Sequence, residues 1–280
     1  MPIELTTQFM PYVDEQFKEE SKLPYLTNQD YSWIGAHSIK VYKISTSAMN
    51  DYDRAGTGKN PSRYGAIAGL DATTEEMTLK KDRSFTFAID KLDQDETRNT
   101  LGAAAALARQ NREVVIPEVD TYVYGVMTDN AGAKPAALAL TADNIASEIF
   151  KGTTALDEAE FPETARSLVV TPAVYQMMKE SKQIVMNTEI GNTMRMNGII
   201  SNLDGMNVIR VPASRLPKGF GFMICHVSAT VAPVKLADFK IHEDPPGISG
   251  SLVEGRICYD AFVLDNKKKG IYYQQQPTAS

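Results

Sequence analysis

The chain has 280 residues, with 29 Lys and Arg against 35 Asp and Glu and a formal net charge of −6. That balance argues against a freestanding nucleic-acid binder, whose first need is a cationic face that displaces counterions from phosphates. With 43% hydrophobic and 23% charged residues the composition is globular, and the length allows one large or two modest domains around a sizeable core. Cys225 and Cys258 are too far apart in sequence to form a chelating pair and fit a reduced, intracellular setting. The opening Met1-Pro2-Ile3-Glu4 lacks the basic and apolar regions of a secretion signal, and no run reaches the roughly 18 apolar residues of a membrane span, so no membrane partner is expected.

Residues 1 to about 35 mix Phe9, Tyr12, Phe17, Tyr25, Tyr31 and Trp33 with charges and no sustained period. They read as an extended arm with one short amphipathic turn after Pro11, which must lie on another surface. Ser38–Ser45, with Ile39, Val41 and Ile44, and Ser84–Asp90, with alternating Phe85, Phe87 and Ile89, read as strands. Between them Gly56, Gly58, Gly65 and Gly69 interrupt a polar stretch from Arg54 to Leu70, a long irregular tip. Such a two-stranded arm is marginal in water by itself, so another copy of the chain is the expected cover.

Asp93 and Glu96 have capping-box spacing before an alanine-rich helix carrying Leu101, Ala104, Ala105, Leu107 and Ala108. Val119, Tyr122, Val123 and Val126 continue at helical spacing beyond Pro117, so a kinked rod is expected from Asp93 to about Asp129, with Ala104 and Ala105 on a face sensitive to charge. A mixed block follows. Thr141 precedes a helix with Ile145 and Ile149, Arg166–Val170 is a buried strand, and Thr171-Pro172 caps and opens a helix through Tyr175 and Met178. Asp204-Gly205 turns into the strand Met206–Val211, Phe220–Val227 is another strand, and Arg256–Leu264 with Ile271–Gln276 reads as a closing hairpin.

Motifs for chemistry fail one after another. Gly58-Lys59 suggests a phosphate loop, but its first glycine falls on Asp53 and its magnesium-holding hydroxyl on Asn60. Asp51-x-Asp53-x-x-Gly56 suggests a calcium loop, but Ala55 and Ser62 occupy ligand positions. Cys225 and His226 are adjacent on a strand and point to opposite faces, as a buried thiol and a half-exposed imidazole. His242-Glu243-Asp244-Pro245-Pro246 lacks the second histidine of a zinc protease and reads as a turn, and Gly247-Ile248-Ser249-Gly250 places its second glycine one residue too early for a nucleophile elbow. A hydrolase built on His242, Glu243 and Ser249 is the weakest of the readings that remain. Asp157, Glu158, Glu160 and Glu163 read as a solvated acidic loop, and Lys267-Lys268-Lys269 as a soluble hairpin tip that protects an edge. No catalytic, cofactor-binding or metal-ligating residue is assigned.

The order of parts says more than any motif. The segments Ser38–Asp90, Lys91-Leu92-Asp93-Gln94-Asp95-Glu96-Thr97 leading into the alanine helix, Leu168-Val169-Val170-Thr171-Pro172 and Gly255–Leu264 together resemble the tailed-bacteriophage major capsid protein, whose Hong Kong phage-type fold is shared with encapsulin shells. The resemblance spans the whole chain and implies an α+β fold divided into an N-terminal arm (1–35), an extended β-hairpin loop (36–90), a peripheral domain with the spine helix (91–137), an axial domain (138–231) and return strands of the peripheral domain (232–280). It implies a structural protein with no enzymatic activity and no cofactor, which self-assembles through hexamers and pentamers into the icosahedral head of a virion, inside the host bacterial cytoplasm. It would enclose double-stranded DNA without specific binding and work beside separate scaffolding, portal and decoration proteins, or be the processed form of a longer chain. An encapsulin-type shell around a cargo enzyme is the alternative. Some relatives crosslink a loop lysine; Lys59, Lys80 and Lys81 qualify by location alone.

Overall fold

The structure is a computed structural model that describes residues 21–28, 38–56, 62–66, 69, 71–96, 102–186 and 202–277. The chain divides into two compact units, one formed by Met1–Ser32 with Lys80–Ser280 and the other by Trp33–Leu79.

The larger unit is built on a five-stranded sheet. Its strands are β4 (Arg166–Val170), β5 (Asn202–Leu203), β6 (Met206–Arg210), β7 (Phe220–His226) and β12 (Ile271–Gln275), in the order β12-β7-β4-β6-β5. Only β4 and β6 run parallel. Every residue of β4 and β7 is buried, because both faces of this sheet are covered and the strands therefore read as continuous apolar runs. Alternation sorts the side chains. Leu168, Val170, Phe222, Ile224 and Tyr272 enter one core with α4 (Ile145–Glu158) and α5 (Pro172–Glu180), while Val169, Met223, Cys225, Ile271 and Tyr273 enter a second core with α3 (Ile116–Asp129). The result is helix on both sides of a mixed sheet.

Local signals explain several boundaries. Thr171 caps α5, its hydroxyl accepting the Val174 N–H at 3.2 Å, with Pro172 in the first turn where a missing N–H costs nothing. Asp204 and Gly205 both have positive φ, at 51° and 73°, as the tight turn between β5 and β6 requires. Short α6 (Lys182–Met186) follows α5.

The rod differs in detail from its expectation. Lys91–Glu96 forms a separate short helix, α1, whose Leu92 N–H is accepted by the Asp90 carboxylate at 2.8 Å, with Asp93 inside its first turn. The alanine helix α2 (Ala103–Gln110) starts from Gly102. It passes through a π-helical turn at Asn111–Val115 straight into α3. The wide turn lies where Pro117, lacking an N–H and crowding the carbonyl four residues back, would break an α-helical ladder. Ala104 and Ala105 are exposed and Ala106 is the buried member of the run, which overturns the expected charge-sensitive face. On α3 the buried positions are Asp120, Val123, Tyr124, Met127 and Thr128, and the expected Val119, Tyr122 and Val126 pack against the same core as its half-buried flank.

Long-range pairing also departs from the sequence reading. Strand β3 (Lys81–Asp90) pairs with β10 (Gly250–Tyr259), and β10 with β9 (Val234–Glu243), in an antiparallel sheet of three ten-residue strands. The expected closing hairpin does not form, since β10 ends in this sheet, the short β11 (Phe262–Val263) pairs with β8 (Thr230–Val231), and β12 pairs with β7.

In the smaller unit β1 (Ser38–Ile44) pairs antiparallel with β2 (Ala72–Thr78), from Ser38 opposite Thr78 to Ile44 opposite Ala72. The second limb of the hairpin is thus β2, and Ser84–Asp90 belongs to the other sheet.

Candidate functional site

Beyond the β1–β2 ladder the smaller unit closes with the Ser45 N–H on the Asp71 carbonyl and the Asp71 N–H on the Ser45 hydroxyl, both 2.9 Å. Its tip is held by short polar contacts. The Asp53 carboxylate accepts the Gly56 N–H at 2.8 Å, the Asp53 N–H reaches the Arg63 carbonyl at 2.9 Å, and Tyr52 and Tyr64 meet edge to face at 5.0 Å. Asp53 therefore builds a turn. Met49 is 99% exposed and Tyr64 77%, so the tip presents large apolar groups to solvent. Gly58 and Lys59 lie outside the described residues.

In the larger unit, the three-stranded sheet has one ionic and one apolar face. On the ionic face Asp82 holds Arg256 bidentately, Lys240 pairs with Asp238 at 2.9 Å, and His242 meets Glu254 at 3.2 Å. On the other, Phe85 and Phe239 flank Gly255 from the two neighbouring strands, their centroids 6.1 Å apart, and Phe85 stacks on Phe87. A Cβ on Gly255 would come within 2.4 Å of the Phe85 ring, so the aromatic pair closes over the missing side chain.

A polar cluster ties this sheet to α3. The buried Asp260 carboxylate accepts the Tyr122 hydroxyl at 2.6 Å and the backbone N–H groups of Lys80 and Ala261 at 2.8 Å each. Burial, reinforced by that hydrogen bond and by the charge of Asp260, holds the Tyr122 phenol well above its ordinary value. Lys81 Nζ lies 4.8 Å from the Tyr122 ring centroid, Tyr259 packs edge-on against it at 5.7 Å, and Glu118 accepts from Arg83 at 2.7 Å. Burial pushes the Tyr259 phenol up to about 12. Lys80 and Lys81 thus anchor β3 to the body.

The remaining candidates are dispersed into structural roles. Cys225 and His226 do face opposite ways. The thiol lies in the α3-side core, where burial pushes it up to about 12, and the imidazole packs against Phe161 at 5.9 Å, its Nδ1 accepting the Ser228 N–H at 3.2 Å. His226 is buried rather than half-exposed; burial and the nearby Arg166 and Lys267 charges lower its pKa. His242 and Glu243 end β9 instead of lying in a turn, and as successive strand residues they point apart. The turn starts at Asp244, whose N–H and carboxylate both engage Gly250, while the Ser249 carbonyl accepts the Lys91 N–H. No His242–Glu243–Ser249 constellation forms. Asp157 pairs with the buried Arg166 at 2.7 Å. Lys267, Lys268 and Lys269 lie in a 3₁₀ turn, Asp265–Gly270, whose Lys268 carbonyl accepts the Gly132 N–H at 2.8 Å, so this segment is docked to the body rather than a free hairpin tip. Among the described residues no group of three His, Cys, Asp or Glu is placed to hold a metal ion, and no helix is long and apolar enough to cross a membrane.

No protein-family model and no curated relative matches the sequence. Solved structures do match. A structure from Mycobacterium phage Che8 superposes with a TM-score of 0.73 at 18% identity over 97% of this chain and 96% of that one. The capsid of cyanophage P-SCSP1u superposes with 0.73 at 14% identity, over 98% and 93% of the two chains. The fold is that of phage capsid proteins. A virus-like particle from Pyrococcus furiosus shares it at a TM-score of 0.57 and 14% identity, over 91% of this chain and 92% of that one. These matches run over nearly the whole chain.

Proposed function

We propose that this chain is the major capsid subunit of a tailed phage or prophage, a structural protein without catalytic activity. The observation that carries the reading is the match over nearly the whole chain to phage capsid structures, joined to a smaller unit in which Met49, Tyr52 and Tyr64 face solvent in the single chain. In this reading Trp33–Leu79 is the extended loop, residues 1–32 the N-terminal arm, α2 and α3 the spine, and the three-stranded sheet the core of the peripheral domain. The five-stranded sheet is the centre of the axial domain, which β12 completes.

Subunits clasp through heterologous contacts that close into hexamers and pentamers. The shell encloses double-stranded DNA in a virion assembled in the host cytoplasm, with scaffolding, portal and decoration proteins as separate partners. The encapsulin-type alternative draws support from the Pyrococcus particle, at a lower TM-score than the phage structures. Terminase and portal genes beside this one indicate a phage, and a cargo-enzyme gene indicates a compartment.

Electron microscopy of the purified protein, with its scaffold where assembly requires one, should show closed shells, hexamers or pentamers. Deleting residues 54–70 should leave the larger unit folded by circular dichroism yet abolish normal particles. A species that stays monomeric at all concentrations and with scaffold, or normal particles from the deletion, overturns the reading.

A further inference from the structure

Strand β9 ends its sheet. The order is β3-β10-β9, and among the described residues no strand pairs with the outer side of β9, so the backbone of Val234–Glu243 presents unpaired N–H and C=O groups along one edge. Its ladder with β10 is regular from Ala237 to Glu243, and the one irregularity, between Cys258 and Tyr259, falls at its start. On this regular stretch Ala237, Phe239 and Ile241 share the apolar face, while Asp238 and Lys240 share the ionic one. The apolar face is uncovered at the edge, since Ile241 is 40% exposed, Ala237 is exposed and Phe239 is only half-buried.

The stretch is complementary to itself. A two-fold axis through Phe239 sets Phe239 opposite the same residue of a second copy, Ala237 opposite Ile241, and Asp238 opposite Lys240, the last two pairs occurring twice. Apolar then meets apolar on one face and opposite charges meet on the other, which are the cross-strand pairs that stabilise a sheet. Neighbouring registers lose this match. An axis through Asp238 or Lys240 sets a charge opposite itself, and a slip of one residue sets Asp238 opposite Phe239 and mixes the faces. The Asp238–Lys240 pair within one strand, at 2.9 Å with side chains 44% and 61% exposed, is weak enough to re-pair across the junction.

We propose that β9 pairs antiparallel with β9 of a second copy about a two-fold axis at Phe239, joining two three-stranded sheets into one. The aromatic row that runs from Phe85 over Gly255 to Phe239, with its ring centroids 6.1 Å apart, then continues into the second copy. The pairing stands on the strand alone. Under the capsid reading this isologous contact joins neighbouring capsomers and is separate from the heterologous contacts within each.

The test follows full-length chains by sedimentation over a concentration series. Asp238→Lys and Lys240→Asp each set two like-charge pairs against one another, so either alone should associate about tenfold more weakly than wild type. An equimolar mixture of the two restores opposite charges across the junction and should regain most of the wild-type affinity, although the pair within each chain stays broken. A merely structural role for that pair predicts no recovery. Circular dichroism checks that each variant is folded. Phe239→Cys, on a Cys258→Ser background, should crosslink to itself on oxidation with diamide, because opposed residues of an antiparallel pair have Cα atoms about 4.5–5.5 Å apart, within disulfide reach. A mixture that associates no better than its components, or no disulfide dimer in free subunits or in particles, overturns the proposal. Closed particles without the crosslink overturn this contact and keep the capsid reading; crosslinked dimers that never form particles do the reverse.

Discussion

Arg215→Met should be among the most damaging single substitutions in the larger unit. Arg215 Nη1 meets Asp120 Oδ2 at 2.8 Å, with the two side chains 6% and 2% exposed, and Ser21 donates to Asp120 Oδ1 at 2.6 Å. The pair pins the Ala213–Arg215 turn and the N-terminal Leu23–Tyr25 turn to α3, which itself covers one face of the five-stranded sheet. Removing the guanidinium leaves a carboxylate in the core with a single hydroxyl partner. Breaking a buried pair from one side costs about 3–5 kcal/mol, because the surviving charge is left uncompensated. Ser21 donates to Asp120 in wild type and variant alike and does not offset the loss, so about 3–5 kcal/mol is expected near neutral pH.

The pH dependence fixes the sign. Burial already raises the Asp120 carboxyl above its ordinary value, opposed by Ser21 and Arg215. Without Arg215 the rise is larger. A carboxyl whose folded pKa exceeds its unfolded one contributes stability that is full below the unfolded value and is lost as pH rises through the folded value. The deficit of Arg215→Met relative to wild type should therefore shrink as pH falls from 7 towards 5. Urea unfolding of the dissociated subunit, followed by far-ultraviolet circular dichroism across that range, measures it. A variant within about 1 kcal/mol of wild type at pH 7, or a deficit that grows on acidification, would refute the view of Asp120 as an ionised, Arg-compensated buried group.

Other substitutions test other parts of the packing. Gly255→Ala puts a Cβ 2.4 Å from Phe85 and 2.8 Å from Phe239; a loss of about 1–3 kcal/mol in unfolding free energy, read by urea titration, is expected, and no change would mean that the aromatic row is loose. Ala165 has φ of 58°, a conformation costing an L-residue about 1–2 kcal/mol, so Ala165→Gly should raise the melting temperature by an amount equivalent to about 0.5–1 kcal/mol after glycine's extra chain entropy. Ala106→Asp should lose at least about 2 kcal/mol by burying a charge, whereas Ala104→Asp, exposed and near the start of α2, should stay within about 0.5 kcal/mol; equal effects on thermal unfolding would contradict the helix orientation.

What the sequence made legible was local. The Thr171–Pro172 start, the Asp204–Gly205 turn and the apolar runs of β4 and β7 each carry their cause within a few residues. The order of parts was legible too, which is why the capsid fold could be expected. Strand β2 was missed because Ala72–Thr78 has threonines and glutamates in place of an alternating apolar set, and its side chains are mostly exposed. The apolar stripe of α3 was legible, but not the buried Asp120 beside it, a charge that the distant Arg215 and Ser21 make tolerable. The partners of β3 and β12 were read wrongly because alternation tells which face a residue takes and not which strand lies beside it.

The two cores of the larger unit leave open what stabilises the smaller one. Its ladder is a single pair of seven-residue strands, and an isolated hairpin is marginal in water. What reinforces it is mostly exposed or half-exposed. The Lys43–Glu75 pair at 3.2 Å contributes about 0–1 kcal/mol, the Tyr52–Tyr64 contact about 0.5–1.5 kcal/mol, and the Asp53 turn about one further hydrogen bond. A strand pair held by contacts of this size leaves a gap in stability that further apolar burial must fill. Met49, Tyr52 and Tyr64 at the tip are the apolar surface that could close the gap, and within one chain they bury little of it. Under the capsid reading a second copy supplies that burial, so the loop should order only on assembly. Amide exchange in the 44–72 segment should accordingly be fast in free subunits and slow in shells.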